Sequence, residues 1–461
     1  MRKLFLLLAL AAFIFTACTP GGGFSDGGEI DDPNNPLGNK RCSNNEILYI
    51  SKSCLPMELS TYDGWGAKLI SNTYENGVGR LTFNVEVTTI PKKAFYENEL
   101  LEYIKLPKSV TSIGNSAFYD CTSLISVTIP DSVTSIGWRA FSGCSSLTSV
   151  TIPDSVTKIG DYAFSGCSSL TSIAIPNSII EVGYDSFSGC TGHLIVNNKY
   201  LVEVDYPSDN RPFKTGWLKG SQFTKLYIGD NIEKIGSFAF ANCSSLTSVT
   251  IGNGANTIGI AAFAGCSNLT NITFGDSMTS IGESAFEGCS GMTSIIIPEG
   301  VISIGDYAFY YCSKLTSVTI PNSVTSIGNF TFFECALQSV IIPNSVTLLG
   351  TGVFRCCRGL TSVTIPDSVT LIGSVAFQNC NILTSVTIPD NVTSIGKDAF
   401  SYCYDLKSVY CKPTTPPTGC DGMFYLNPSS RKIYVPRNSV EAYKTAEYWS
   451  DYAEDIVGYD F

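Results

Sequence analysis

Residues 144–166 read Cys144-Ser-Ser-Leu-Thr-Ser-Val-Thr-Ile-Pro-Asp-Ser-Val-Thr-Lys-Ile-Gly-Asp-Tyr-Ala-Phe-Ser-Gly166, and Cys167 opens the same block again. Phenylalanines keep the phase at 95, 118, 141, 164 and 187, resume at 240, 263, 286, 309 and 332, and continue at 354, 377 and 400. The single 22-residue step reflects a shortened Cys335-Ala-Leu337, and the 53-residue step from 187 to 240 holds one unit plus an insertion of 30. A fixed period of this length marks a stacked repeat, in which each unit buries its apolar side only against its neighbours.

Inside the block, Val150 and Ile152 alternate with Ser149 and Thr151, the period of a half-buried strand rich in β-branched residues. Pro153-Asp154-Ser155 closes that ladder, since proline has no N–H to give and aspartate favours turns. Val156 and Ile159 turn inward again, Gly160 suits a tight corner, and Asp161–Phe164 is expected to make one short helical turn with its Phe inside. The fold class that follows is a solenoid, mainly parallel β with short helical turns, of about 13 coils of 23 residues, spanning roughly 60 Å at the usual strand spacing.

The chain has 461 residues, of which 44% are hydrophobic and 15% charged, so a large core is available and disorder is excluded. With 29 Lys+Arg against 40 Asp+Glu, the net charge of -11 argues against nucleic acid as a partner. A lone histidine, His193, removes mechanisms that need two imidazoles and most His-based zinc sites. No P-loop or dinucleotide fingerprint is present, and no catalytic residue, metal or cofactor is expected.

Met1-Arg2-Lys3 followed by the apolar run Leu4–Phe15 suits a signal-peptide core and is too short for an ordinary spanning helix. Phe15-Thr16-Ala17-Cys18 looks like a bacterial lipobox, which makes Cys18 the expected lipidation site; an ordinary cleavage near Ala17 is the other reading. Removal of residues 1–17 takes Arg2 and Lys3 away and brings the net charge to -13. Residues 18–41, rich in Gly, Asp, Asn and Pro, are expected to be a flexible tether between lipid and folded body.

The pattern Leu-x-x-Val-x-Ile-Pro-x-x-Val-x-x-Ile-Gly-x-x-Ala-Phe-x-x-Cys resembles the BspA-like, Treponema-type leucine-rich repeat over residues 79–412. The resemblance implies a surface or secreted protein, and with the lipobox the expected place is the bacterial outer membrane or cell surface, lipid-anchored. It also implies adhesion to host extracellular-matrix or mucosal glycoproteins. A glycan-binding part of a nutrient-uptake system is the alternative. It brings no catalytic motif. Residues 42–78 and 413–461 are expected to cap the stack. Lys432–Pro436 would be a last strand, Ser439 would cap a helix over 440–447, and Tyr443, Tyr448, Trp449 and Tyr452 would close the apolar end.

Candidate binding residues fall in two places. The strand centre facing away from the core reads Lys105, Thr128, Thr151, Ala174, Tyr227, Thr250, Thr273, Ile296, Thr319, Ile341, Thr364, Thr387 and Tyr410, with serines beside it. Such a row is either a concave, hydroxyl-rich contact surface, with Tyr227, Thr250 and Thr273 as its candidates, or plain strand propensity. The insertion at 191–224 carries Tyr206, Arg211, Phe213 and Trp217, residue types that anchor interfaces, although it too can be read as a loop packed on the solenoid flank.

The cysteine column 121, 144, 167, 190, 243, 266, 289, 312, 335, 357, 380 and 403 is expected to be buried thiols, with S–H groups available to loop carbonyls. Cys42/Cys54 and Cys411/Cys420 are the disulfide candidates of an exported chain. The Asp and Asn residues after each strand, such as Asp230 and Asn253, read as turn formers rather than calcium ligands, because second carboxylates are missing.

Overall fold

The computed structural model describes residues 36–199, 218 and 220–461. Cys42–Phe461 forms one compact unit. It is a solenoid of about 15 turns with very little helix.

The N-terminal cap is antiparallel. Strand β1 (Glu46–Ser51) pairs with β3 (Val78–Phe83), and β2 (Leu69–Glu75) joins β3 through a tight hairpin. Asn76 and Gly77 both take left-handed backbone there, as a two-residue hairpin turn needs. The other edge of β1 lies antiparallel on Leu101–Lys105, the first long rung of the stack, so the cap seals an edge that would otherwise invite pairing with another chain. Tyr49 is fully buried beneath Gly79, where a Cβ would collide with the Tyr49 ring.

Each winding then contributes two short parallel rungs. The longer series includes Ser126–Thr128, Ser149–Val150, Ser172–Ile175, Lys225–Ile228 and Ser248–Ile251, with inward Val, Ile or Leu buried and the residues between them facing out. The shorter series, from Thr89–Ile90 through Ser112–Ile113 and Ser135–Ile136 onward, buries its isoleucines. A third ladder runs where a helical turn was expected. The N–H groups of Ser116, Phe118 and Asp120 donate to the carbonyls of Trp138, Ala140 and Ser142 in the next winding at 2.7, 2.7 and 2.8 Å. Left-handed backbone at two residues four apart in each turn, such as Ser116 and Asp120, Arg139 and Gly143, or Tyr162 and Gly166, breaks the helical run, so these donors bridge windings instead of closing an i to i−4 helix. The recurring Gly143, Gly166 and Gly189 meet that requirement without a Cβ.

The phenylalanine column is two piles of stacked rings. Phe95 stacks on Phe118 at 5.0 Å, and the file continues to Phe187, then from Phe240 to Phe400, near-parallel throughout. Phe424 extends it one step beyond the periodic sequence, 5.7 Å from Phe400. Trp65 covers Phe95 edge-on at one end, and Trp449, with Tyr452, covers Phe424 at the other.

The segment read as an excursion begins inside the solenoid. His193–Val196 is a full rung, paired with Ser172–Ile175 on one side and Lys225–Ile228 on the other. Phe223 returns to the core, 6.4 Å from Phe187 and tilted by 53°.

At the C-terminus Lys432–Pro436 is the strand expected, followed by a helix over Val440–Thr445 and a further strand, Ile456–Tyr459. Ser439 does not cap that helix with its side chain: its Oγ donates to the Thr414 carbonyl at 2.7 Å. Tyr443 and Trp449 are buried and Tyr452 packs on the core, but Tyr448 stays on the surface.

Candidate ligand-binding face

The outward residues of the long rungs form two columns on one sheet face. One runs Ala174, Ile195, Tyr227, Thr250 and Thr273 in direct register. It goes on through Ile296 beside Thr319, Ile341 beside Thr364, and Thr387 beside Tyr410 beside Tyr434. The second column lies two residues earlier on each rung: Ser172, His193, Lys225, Ser248 and Asn271, then serines as far as Ser408, then Lys432.

Tyr227, Thr250 and Thr273 are thus neighbours on three consecutive rungs. Lys105 departs from the expected row. It is only 6% exposed, because β1 of the cap lies directly beside its rung. Tyr206, Arg211, Phe213 and Trp217 of the insertion, and the lipidation candidate Cys18, lie outside the described residues. The structure adds Ile195, Tyr434 and Tyr459 to the face, none of which the 23-residue phase marks.

Two kinds of threonine separate by how their hydroxyls are used. Those at the corner before each rung donate back to the preceding winding: Thr171 to Thr148, Thr247 to Thr224, Thr270 to Thr247 and Thr316 to Thr293, at 2.9–3.3 Å. The face threonines Thr250, Thr273, Thr319, Thr364 and Thr387 make no side-chain hydrogen bond among the described residues, and their donors and acceptors point to solvent. Ile296 and Ile341 stand 73% exposed on the same column.

At its C-terminal end the face becomes aromatic. Tyr410 and Tyr434 stack at 4.9 Å with 14° between planes, and Tyr459 meets them edge-on at 5.6 and 5.4 Å. Toward the other end, His193 lies 6.1 Å from Tyr227. Partial burial and then the positive charge of Lys225 hold its imidazole below its ordinary pKa.

The cysteine column faces inward. Cys121, Cys144, Cys167 and Cys190 donate to the carbonyls of Phe95, Phe118, Phe141 and Phe164 at 2.9–3.2 Å, and the pattern resumes from Cys266 to Cys403. The two disulfide candidates do not form. Cys42, Cys54, Cys411 and Cys420 are all free; the Cys42 Sγ reaches the Glu46 carbonyl at 3.2 Å and the Cys411 Sγ the Tyr443 hydroxyl at 3.3 Å. Of the residues after the strands, Asp230 accepts the Asn253 N–H at 2.7 Å and Asn253 accepts the Asp276 N–H at 3.1 Å. Among the described residues no three His, Cys, Asp or Glu side chains gather as a metal site, and no helix is long and apolar enough to cross a membrane.

Comparison with solved structures finds a leucine-rich repeat protein from Bacteroides ovatus, 26% identical, covering 85% of this chain and 91% of that one with a TM-score of 0.53. A leucine-rich repeat protein of Treponema pallidum, 26% identical, covers 44% of this chain and 91% of its own at a TM-score of 0.33. A leucine-rich cell surface protein of Faecalibacterium prausnitzii, also 26% identical, covers 81% and 89% at 0.29. No curated protein matches significantly. The family model for the BspA type leucine-rich repeat region matches residues 88–205, 212–336 and 325–446. With most of its length covered by that model, and a ring-stacked solenoid built from the same period, the chain belongs to the BspA-type leucine-rich repeat family.

Proposed function

We propose that this is a non-catalytic binding protein displayed on the bacterial outer membrane through lipid on Cys18, and that it acts in adhesion to host matrix or mucosal glycoproteins. The observation that carries this reading is the sheet face itself, where the hydroxyls of Thr250, Thr273, Thr319, Thr364 and Thr387 are unused by the fold and held at fixed spacing on the stack. Many weak, regularly placed hydrogen bonds suit an extended partner better than a small substrate, which calls for a concave pocket.

Solid-phase binding of the full chain to fibronectin, fibrinogen and mucin tests the adhesive role. Saturable binding to at least one supports it, and binding to none removes it. Palmitate labelling that disappears in Cys18→Ser tests the anchor. Arg211→Ala and Trp217→Ala test the insertion: unchanged binding would leave the sheet face as the site. A second reading, glycan capture for nutrient uptake, is favoured by the lack of charge on most of that face. Neighbouring genes for a glycan importer would support it.

A further inference from the structure

We propose that the stretch of sheet face from Tyr227 to Tyr434 is a track for an uncharged glycan chain laid along the solenoid, with Tyr410, Tyr434 and Tyr459 as its stacking platform. This deepens the binding role proposed above by naming the ligand chemistry.

Charge is the first argument. The chain carries 29 basic and 40 acidic residues, yet between Ser248 and Ser408 neither outward column holds an ionisable side chain until the tyrosine at 410. A typical soluble domain has about one-quarter charged residues, most of them on its surface. Docked on this track, such a surface would lose water around its charges and find no counter-charge in return. An anionic glycan such as a sulfated or sialylated one would meet the same difficulty over the rungs between, since the columns offer it a cation only at the two end rungs, in Lys225 and Lys432. A neutral polyol has only hydroxyls to desolvate, and the track offers hydroxyls in exchange.

Hydrogen-bonding capacity is the second. The face threonines are uncommitted, whereas the corner threonines one position before each rung are bonded within the fold. The difference lies in position on the winding and not in residue type, so the face row retains donors and acceptors for an external partner.

Shape is the third. A sugar ring has polar edges and apolar C–H faces. Ile296 and Ile341, each 73% exposed and two rungs apart with Thr319 between them, alternate apolar and hydroxyl contact in the same way. The tyrosine platform offers half-exposed ring area of the kind that anchors recognition. From Tyr227 to Tyr434 the track runs about 40 Å at the usual strand spacing.

The test uses the full chain on immobilised laminarin, galactomannan and desialylated mucin, with sialylated mucin and heparin beside them. Binding to at least one neutral polymer is expected, at least ten-fold stronger than to heparin. It should fall ten-fold or more in Thr319→Glu and in Tyr434→Ala, and stay unchanged in Tyr311→Ala, which alters an exposed ring on the turn side. Circular dichroism of Thr319→Glu guards against misfolding, and its face position leaves the core intact. Failure to bind any neutral polymer, or binding indifferent to Thr319→Glu and Tyr434→Ala, overturns the proposal. Binding to matrix proteins that survives their complete deglycosylation and is lost in Thr319→Glu also overturns it, while leaving adhesion standing. Neutral-polymer binding without any matrix binding upholds the track and removes host adhesion.

Discussion

The thiol of Cys144 donates to the main-chain carbonyl of Phe118, 26 residues earlier, at 3.1 Å, with both residues fully buried. The bond ties the end of one winding to the ring-bearing turn of the winding before it. Cysteine fits because the column needs a small apolar body with one weak donor. Cys144→Ala keeps most of the packing and leaves that carbonyl with only the Cys121 N–H, at 3.3 Å, as its donor, and is expected to cost about 0.5–1.5 kcal/mol in urea denaturation. Cys144→Ser should cost less than Cys144→Ala, because its hydroxyl donates to the same carbonyl.

Burial raises the thiols of Cys121, Cys243, Cys312, Cys403 and Cys411 from the ordinary 9.0 to about 12. The folded chain therefore holds protons that the unfolded chain releases, and each such group favours the fold below pH 9.0 and loses that contribution between there and about pH 12. Stability should be insensitive to these groups at neutral pH and fall steeply in alkali. Iodoacetamide at pH 7.5 should label the buried members of the column only as fast as the chain opens, after Cys54, on the surface, and the partly exposed Cys243.

Phe286 lies between Phe263 and Phe309 at 5.5 and 5.4 Å and is fully buried. Phe286→Ala removes two stacking contacts and opens a cavity in the middle of the file, at an expected cost of about 3–5 kcal/mol. Hydrogen exchange should show the loss of protection centred on its own and the two adjacent windings, since each repeat touches only its neighbours.

Arg431 holds the C-terminal cap. It is 5% exposed, pairs with Asp455, donates to the Phe424 carbonyl at 2.9 Å, and lies over the rings of Phe424 and Tyr452. Arg431→Ala strands Asp455 and should destabilise the cap by about 3–5 kcal/mol. Light scattering should then rise on mild heating, as the end of the ring file becomes accessible to other copies.

Much of this was legible in the residues. The 23-residue period gives the winding, β-branched alternation gives the long rungs, and the Phe and Cys files give the interior, down to the thiol donors. The rest depends on backbone conformation and on the ends. Tyr162 sits in the left-handed region although its type gives no hint of it, so a helical turn was expected where a ladder between windings exists. The rung His193–Val196 alternates like a strand but starts 21 residues after Ser172 and brings no phenylalanine in phase, so periodicity passes over it. Lys105 reads as outward because its burial comes from a cap strand more than 50 residues earlier. Tyr434 and Tyr459 join the face only through the last strands, past the end of the repeat. Proximity in sequence suggested two disulfides, whereas the Cys411 thiol turns inward to Tyr443.

The shortened winding at Cys335-Ala-Leu337 has a structural corollary. Its missing residue is absorbed at the corner before the rung: Cys335 and Cys357 still reach Phe309 and Phe332 at 3.3 and 3.2 Å, and Phe332 still stacks on Phe354. Because each winding meets its neighbours through the same ring, thiol and rung contacts, the stack tolerates a change of length inside one winding without disturbing the joints on either side of it.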